Sequence, residues 1–348
     1  MKSECKWLLA FIIIGTIIRA YSLSFQIMNG DEIWTIDFAS PSLSAWQIIV
    51  TSLSNDCNPP LYYLVAHFSM LLFGATAWAI RFPSVIFGIL LIPCTYLVGR
   101  EFRDDLFGLL CAGFTALSYN MIFYSRYGRS YAMALVFAAL CFYFFQRVLK
   151  GDNRAGIWFG VFALLSVYTH LFAAIPLGLM AVYLLWKRLA VPGIVVFSIG
   201  SLPLLNLLYV IYTTRVITNA SNNFGSSPVD VLIHAPLDVF AYSTIIILPI
   251  LIYSLWVYRS DRLFKIITSV SLITLFVMIA LANRTPIIPH YIIFVYPMLL
   301  LPLTLPFYNA IITKGKDMSY VYIVVIYSIL VNEFIQIWFL VTVQRAWW

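Results

Sequence analysis

Two adjacent carboxylates, Asp31 and Glu32, stand just after the first long apolar segment of this sequence. The chain is 62% hydrophobic and only 10% charged, so carboxylates are scarce in it. An acidic pair near a cationic pocket suits a general base with a supporting carboxylate. The alternative is a solvated pair in a loop, since acids are mostly exposed in proteins.

Asp56 and Asn58 form a second candidate group, directly before Pro59-Pro60. Proline is tolerated in the first turn of a helix, so the two prolines predict that a helix starts here. Asp56 and Asn58 are candidate substrate contacts. A plain helix start with an acid near its N-terminus explains the same residues.

Arg126 and Arg129 lie in the segment Tyr124–Tyr131, which joins two apolar stretches. Their spacing of three predicts that they share one helical face. Two guanidinium groups with several hydroxyls, including that of Tyr124, suit a phosphate group at a membrane surface. The alternative is ordinary interfacial behaviour, in which Arg extends to water and Tyr forms an aromatic belt.

Later candidates are fewer. His170 follows Tyr-Thr and is either a proton carrier or a simple polar contact. Arg284 is a candidate phosphate contact, with His290 and Tyr291 beyond the next two prolines. Glu333 lies inside the last apolar stretch, where a charge is costly and needs a partner or a cavity. Its role stays open at this level.

The elements that must position these residues are membrane spans. A mean hydropathy of +0.93 is typical of a polytopic membrane protein and excludes an ordinary soluble domain. Since a span needs about 20 apolar residues, breaks at charged or Gly/Pro-rich points predict an all-α fold with about eleven transmembrane helices. The predicted spans are 7–24, 82–100, 106–124, 131–149, 156–170, 172–187, 192–213, 237–258, 266–283, 291–312 and 319–342.

The basic residues orient these spans. Most of the 21 Lys and Arg residues fall in predicted inner loops, which places the N-terminus in the cytoplasm. This bias also accounts for the net charge of +7 without nucleic acid. The basic residues on the predicted outer side are all Arg, whose planar fork binds phosphate or carboxylate at two points. They are Arg19, Arg81, Arg126, Arg129, Arg215, Arg284 and Arg345.

The chain is expected to form one transmembrane domain over 1–348, without a soluble C-terminal domain and with the first span as an uncleaved anchor. The first outer loop is predicted at 25–80 and a second at 214–236. Pro60–Phe73 is too short to span, and spanning there would invert every later loop, so an interfacial helix is predicted. Ser42–Ser52 is predicted as another.

The five cysteines predict neither a structural disulfide nor a metal centre. Only Cys57 falls in a predicted outer loop, and a disulfide needs two thiols on the oxidising side. The cysteine spacings do not fit a metal site.

The candidate motifs together resemble the GT-C superfamily of integral-membrane glycosyltransferases. Within it, the chain is similar to the branch of protein O-mannosyltransferases and lipid A aminoarabinose transferases. The ordered motifs are Asp31-Glu32, Pro59-Pro60-Leu61, Phe73-Gly74, Arg81-Phe82-Pro83-Ser84, Tyr124–Ala132, Tyr168-Thr169-His170 and Tyr291 with Tyr296-Pro297.

The resemblance implies that a sugar moves from a polyprenyl-phosphate donor to an envelope acceptor, with inversion. The reaction would take place on the outer face of the cell (inner) membrane, without an obligatory metal. The acceptor would be a glycan, a lipid-linked saccharide or a protein. Asp31 would be the base and Glu32 a supporting residue. The implied phosphate contacts are Arg81, Arg126, Arg129, Arg284, His290 and Tyr291.

The sequence departs from the family pattern at two places. Asn58 stands where relatives often carry a basic residue, and His290 where they often carry Arg. A transporter or flippase of a lipid-linked saccharide is the alternative function. It would place polar groups near the bilayer midplane, often with repeat symmetry, whereas this chain concentrates them at the outer rim.

Overall fold

A computed structural model describes residues 2–24, 26–55, 58–205, 227–282, 289–313, 329–338 and 340. These parts of the chain form helices and no strand, which confirms the all-α membrane fold. The helices are α1 Lys2–Ala20, α2 Gly30–Phe38, α3 Ala45–Asn55, α4 Leu61–Phe73, α5 Ala77–Phe102, α6 Asp105–Leu117, α7 Tyr119–Ser125, α8 Tyr131–Leu149, α9 Ala155–Thr169, α10 Ala174–Trp186, α11 Val191–Gly200, α12 Pro228–Phe240, α13 Thr244–Val257, α14 Arg262–Leu281, α15 Tyr296–Thr313 and α16 Ile329–Trp338. Short 3₁₀ segments occupy Leu171–Ala173, Ala241–Ser243 and Pro289–Val295.

Four helical segments in the described ranges are long and apolar enough to cross a membrane: α5, α8, α14 and His290–Ile312. Two bent pairs bring the number to six when each pair counts as one span: α6 with α7, and α12 with α13. Shorter apolar helices account for most other predicted spans. The total of eleven therefore stays a prediction.

Two of the predicted spans, 106–124 and 237–258, contain a bend that the sequence prediction did not include. The first pair bends by 62° at Ser118, whose extended backbone ends α6. The second bends by 95° at the 3₁₀ segment, where Ala241 has a φ of 51°. Apolar periodicity reports which residues avoid water, so it does not detect a change of direction between two apolar helices.

The predicted outer loop 214–236 is also corrected where it is described, because α12 begins at Pro228. Ser227 accepts a hydrogen bond from the Asp230 amide, and the Asp230 carboxylate accepts one from the Ser227 amide. This reciprocal capping box, with proline at the first helical position, is a sequence signal for a helix start.

The predicted first outer loop, 25–80, holds α2, α3 and α4. Helices α3 and α4 lie close to their predicted positions, whereas α2 was not predicted. Pro60 is the N-cap of α4, which confirms that the two prolines start a helix. Nδ1 of His67 in α4 lies 3.2 Å from the carbonyl oxygen of Ala39 and 3.1 Å from that of Ser40. His67 therefore holds the C-terminal end of α2, the helix that carries both carboxylates of the acidic pair.

Helices α9 and α11 cross at glycines. A Cβ atom added to Gly160 would overlap the carbonyl oxygen of Gly193, and one added to Gly193 would overlap that of Gly156. Gly156 and Gly160 form a G-x-x-x-G pattern, which lets backbones approach closely in a membrane.

The helices that position the candidate site pack together at one end of the bundle. There α1 packs on α5, α6 and α7, and α5 packs on α7 and α8. The segment 126–130 links α7 to α8 and meets α2.

Candidate active site

Asp31 and Glu32 lie in the first turn of α2, where the helix dipole favours negative charge. Asn29 caps this helix: its side-chain oxygen accepts from the Glu32 amide at 3.1 Å, and Glu32 Oε2 accepts from the Asn29 amide at 3.4 Å. The capping box turns Glu32 inward, where it is only 2% exposed. The side chain of Asp31, one position earlier, remains 47% exposed.

Glu32 forms a bidentate ion pair with Arg81, in the first half of α5. Arg81 donates from Nε to Oε1 at 2.7 Å and from Nη2 to Oε2 at 2.6 Å. Its Nη1 donates to the carbonyl oxygens of Leu23 and Gln26, at 2.8 and 3.0 Å. Arg81 is also 2% exposed. The pair therefore joins α2, α5 and the chain that follows α1.

The segment 126–130 is fixed to α2 from the other side. The Gly128 amide donates to Glu32 Oε1 at 2.8 Å, and Thr35 Oγ1 donates to the Gly128 carbonyl oxygen at 3.0 Å. A Cβ on Gly128 would lie 2.8 Å from a side-chain carbon of Ile80 and 3.1 Å from Glu32 Oε1. The small size of glycine suits this position, because a side chain here would crowd the Ile80 side chain and the Glu32 carboxylate.

Asp31 is the carboxylate that faces the open side, with two partners from the same segment. The hydroxyl of Tyr127 donates to Oδ2 at 3.0 Å, and Arg129 Nε lies 3.8 Å from the same oxygen. Burial raises the pKa of Tyr127, so its hydroxyl keeps its proton and acts as a donor. Arg129 Nη1 also lies 3.3 Å from Tyr63 Oη and 3.5 Å from Thr35 Oγ1.

Arg126 differs from Arg129, contrary to the prediction that the two share a helical face. Helix α7 ends at Ser125, and residues 126–130 are not helical. Arg126 turns back to the end of α1, where Nη1 donates to the carbonyl oxygens of Ile18, Arg19 and Tyr21. Burial and then the nearby Arg81 charge lower the pKa of Arg126 to about 10, so it stays charged at neutral pH.

These contacts argue against the predicted phosphate role of Arg81 and Arg126. Both are 2% exposed, and both spend most of their donors on protein oxygens. Binding a phosphate would first break those hydrogen bonds and leave buried acceptors unpaired, which is costly. Their contacts favour a positioning role. Among the residues that the structure describes, Arg129 has its guanidinium beside Asp31.

An aromatic wall continues the site away from Asp31. The ring of Tyr127 stacks on Tyr131 with centroids 6.1 Å apart, and the Tyr131 hydroxyl lies 2.8 Å from His290 Nε2. Tyr124 lies 5.9 Å from the His290 ring. His170 lies 5.2 Å from Tyr131, and its Nδ1 accepts from the Phe172 amide at 3.3 Å. Tyr291 contacts the ring of His170 at 5.0 Å.

The structure thus brings together most of the predicted site residues in one connected region. Asn58 is half-buried just before α4, and Asp56 and Arg284 lie outside the described residues. Sequence reasoning missed Tyr127, Gly128, Tyr131 and Thr35. The first three stand in the same motif as the two arginines, so that motif was the available signal. The described residues hold no group of three metal-ligating side chains.

Residues 57–213 match the family profile described as dolichyl-phosphate-mannose-protein mannosyltransferase. A search of curated proteins by sequence found no match. Solved structures with a similar fold include ArnT from Cupriavidus metallidurans bound to undecaprenyl phosphate, at a TM-score of 0.61 and 16% identity. That alignment covers 86% of this chain and 60% of ArnT.

The Archaeoglobus fulgidus oligosaccharyltransferase in complex with Zn and sulfate is similar at a TM-score of 0.56 and 14% identity. That alignment covers 95% of this chain and 53% of the oligosaccharyltransferase. The chain therefore spans little more than half the length of either structure. At these identities the likeness concerns the fold.

Proposed function

We propose that this chain, which has the GT-C fold of integral-membrane glycosyltransferases, transfers a sugar from a polyprenyl-phosphate donor to an envelope acceptor. The observation that carries the proposal is the environment of Asp31. It is a half-exposed carboxylate with a tyrosine hydroxyl and a guanidinium on one oxygen. The buried Glu32–Arg81 pair behind it fixes its helix.

The chemistry is a displacement at the anomeric carbon. Asp31 takes the proton of an acceptor hydroxyl as its oxygen bonds to that carbon. The bond from the carbon to the phosphate oxygen breaks, and polyprenyl phosphate leaves with the electron pair. A positioned base contributes roughly 10²–10⁴-fold to such a step.

Arg129 stabilises the negative charge that develops on the leaving phosphate. In an inverting displacement, the base and the leaving group lie on opposite faces of the sugar. The guanidinium must therefore turn from Asp31 to the phosphate when the donor binds. Its contacts with Tyr63 Oη at 3.3 Å and with Asp31 Oδ2 at 3.8 Å are longer than the charge-assisted hydrogen bonds that a phosphate would accept.

We also propose on which side of the membrane the reaction takes place. We place the site at the outer face of the cell membrane, with the N-terminus in the cytoplasm, because most Lys and Arg residues fall in the predicted inner loops. A solved relative binds undecaprenyl phosphate, which supports a polyprenyl-phosphate carrier here. The aromatic wall around His290 would face the sugar or its phosphate.

The test compares Asp31→Asn with Asp37→Asn, an exposed acid on the same helix. Each purified variant, reconstituted in lipid vesicles, receives a radiolabelled polyprenyl-phosphate sugar and envelope extract. We expect wild type and Asp37→Asn to transfer label, and Asp31→Asn to lose roughly 100-fold or more of the rate. Equal rates for all three would refute the base assignment. Movement of intact donor across the bilayer without transfer would instead indicate a transporter.

A further inference from the structure

The break between α6 and α7 is held by two buried, oppositely charged side chains from distant parts of the chain. Arg19, at the end of α1, is 0% exposed, and Glu333, in α16, is 5% exposed. Each contacts the helix end whose partial charge is opposite to its own.

Arg19 contacts the C-terminal end of α6, where unpaired carbonyl groups give a partial negative charge. Its Nη2 donates to the Thr115 carbonyl oxygen and its Nη1 to that of Ala116, both at 3.0 Å. Its Nε donates to Ser125 Oγ at 3.1 Å, in the last turn of α7. Arg19 therefore holds both half-helices.

Glu333 contacts the N-terminal end of α7, where free amides give a partial positive charge. Its Oε2 accepts a hydrogen bond from the Tyr119 amide, the first residue of that helix. Its Oε1 accepts from Ser243 Oγ at 2.5 Å, in the bend between α12 and α13. One carboxylate thus joins the two bent helix pairs.

Two further side chains, those of Asn120 and Asn332, reinforce this junction. Asn120 Nδ2 donates to the carbonyl oxygens of Leu237 and Asp238, at 3.1 and 2.7 Å, near the end of α12. Asn332 Nδ2 donates to Ser243 Oγ at 3.0 Å. The start of α7 is therefore fixed on several sides.

We infer that Glu333 is a positioning residue for the candidate active site and acts through α7. The seven residues of α7 form a rigid rod about 10 Å long. Glu333 holds one end, and the segment with Tyr127 and Arg129 follows the other. Fixing the rod fixes the hydrogen bond from Tyr127 to Asp31. A buried charge inside an apolar span is costly, and its hydrogen bonds to both bends compensate for this.

The first arm of the test measures amide hydrogen exchange over Tyr119–Arg126 in the reconstituted protein, without substrate. Glu333→Ala is compared with Glu333→Gln, whose amide oxygen still accepts from Tyr119 and whose NH₂ group donates to Ser243 Oγ. Gln336→Leu is the matched control, because Gln336 is buried one turn away with no hydrogen-bond partner in the described chain.

We expect faster exchange over this helix in Glu333→Ala, nearly normal exchange in Glu333→Gln, and no change in Gln336→Leu. Unchanged exchange in Glu333→Ala, or equal changes in Glu333→Ala and Gln336→Leu, would overturn the inference. If Glu333→Ala does not fold, Ser243→Ala replaces it in both arms, since it removes one of the two hydrogen bonds.

The second arm rests on the proposed function and measures transfer rates in a cycle of Glu333→Ala with Tyr127→Phe. Each single variant should lower kcat about tenfold, as expected for a lost hydrogen bond to a charged group. The double variant should be no slower than the worse single variant, because both act on one contact. Multiplied losses would show that Glu333 acts independently of Tyr127. If wild type transfers no sugar, the proposed function fails, and the exchange arm alone decides the role of Glu333.

Discussion

Replacing Arg81 by Met separates a positioning role from direct phosphate binding. The substitution leaves the Glu32 carboxylate buried without its cation, and it removes the donor to the carbonyl oxygens of Leu23 and Gln26. Breaking a buried ion pair from one side costs about 3–5 kcal/mol. That is a large part of the roughly 5–15 kcal/mol by which proteins are stable.

The control variant is Arg100→Met, at the other end of the same helix. Arg100 pairs with Asp105 at 2.9 Å, but its side chain is 56% exposed. Exposed pairs contribute about 0–1 kcal/mol. For a large domain, each kcal/mol lost lowers the unfolding temperature by about 2 °C. The unfolding temperature should therefore fall by roughly 6–10 °C in Arg81→Met and by no more than about 2 °C in Arg100→Met.

The double variant Arg81→Met/Glu32→Leu removes both charges and should recover much of the stability, since no unpaired buried charge remains. The assay is thermal unfolding in detergent, followed by donor KM on the folded fraction. A stable Arg81→Met protein whose donor KM rises more than about tenfold would refute the positioning role. It would restore Arg81 as a phosphate ligand.

Two other pairs of substitutions test the remaining arginines of the site and the packing of α9 on α11. Arg129→Met should raise donor KM about 10- to 100-fold, as expected for a lost charge-assisted contact of about 1.5–3 kcal/mol. Arg126→Met should chiefly lower the unfolding temperature. Steady-state kinetics and unfolding curves measure both effects, and the reverse pattern would contradict the two roles. Gly160→Val should lower the unfolding temperature, because the added side chain forces α9 away from α11. The control, Gly178→Val in α10, should change it little, since a Cβ added there meets nothing within 4 Å. Equal shifts in the two variants would contradict the packing argument.

Much of the fold follows from the sequence, because apolar runs report burial and caps report helix ends. The predicted span 131–149 coincides with α8, and Pro59-Pro60 does start α4. The bend at Ser118 does not follow, because its causes lie far along the chain. Arg19 holds α6 and Glu333 holds α7 across separations of about a hundred and two hundred residues. No local pattern encodes such contacts.

The acidic pair shows the same limit within the candidate site. Composition marks Asp31 and Glu32 as unusual, and the family resemblance implies that Asp31 is the base. Residue type and spacing alone do not say which of the two adjacent carboxylates is exposed. The difference comes from helix geometry. Neighbouring residues point about 100° apart on a helix, so the capping box that turns Glu32 toward Arg81 leaves Asp31 beside Tyr127 on the open side. The sequence could predict the pair but not which member keeps solvent access.

Three of the arginines that were predicted on the outer side have a physical explanation that differs from the predicted one. Arg was expected on this side because its fork suits phosphate. In the structure, Arg19 donates to carbonyl oxygens at the end of α6, and Arg126 to those at the end of α1. Arg81 donates to the carbonyl oxygens of Leu23 and Gln26, in the chain that follows α1. Helix ends leave several carbonyls unpaired, and inside a membrane no water satisfies them. A guanidinium carries five donors in one plane, whereas an ammonium carries three on a point charge. Lysine would therefore leave carbonyls unpaired at positions 19 and 126, where the preference for Arg follows from closing helix ends. The Arg81 guanidinium is occupied by Glu32, Leu23 and Gln26. Among Arg19, Arg81, Arg126 and Arg129, phosphate binding therefore needs to explain only Arg129.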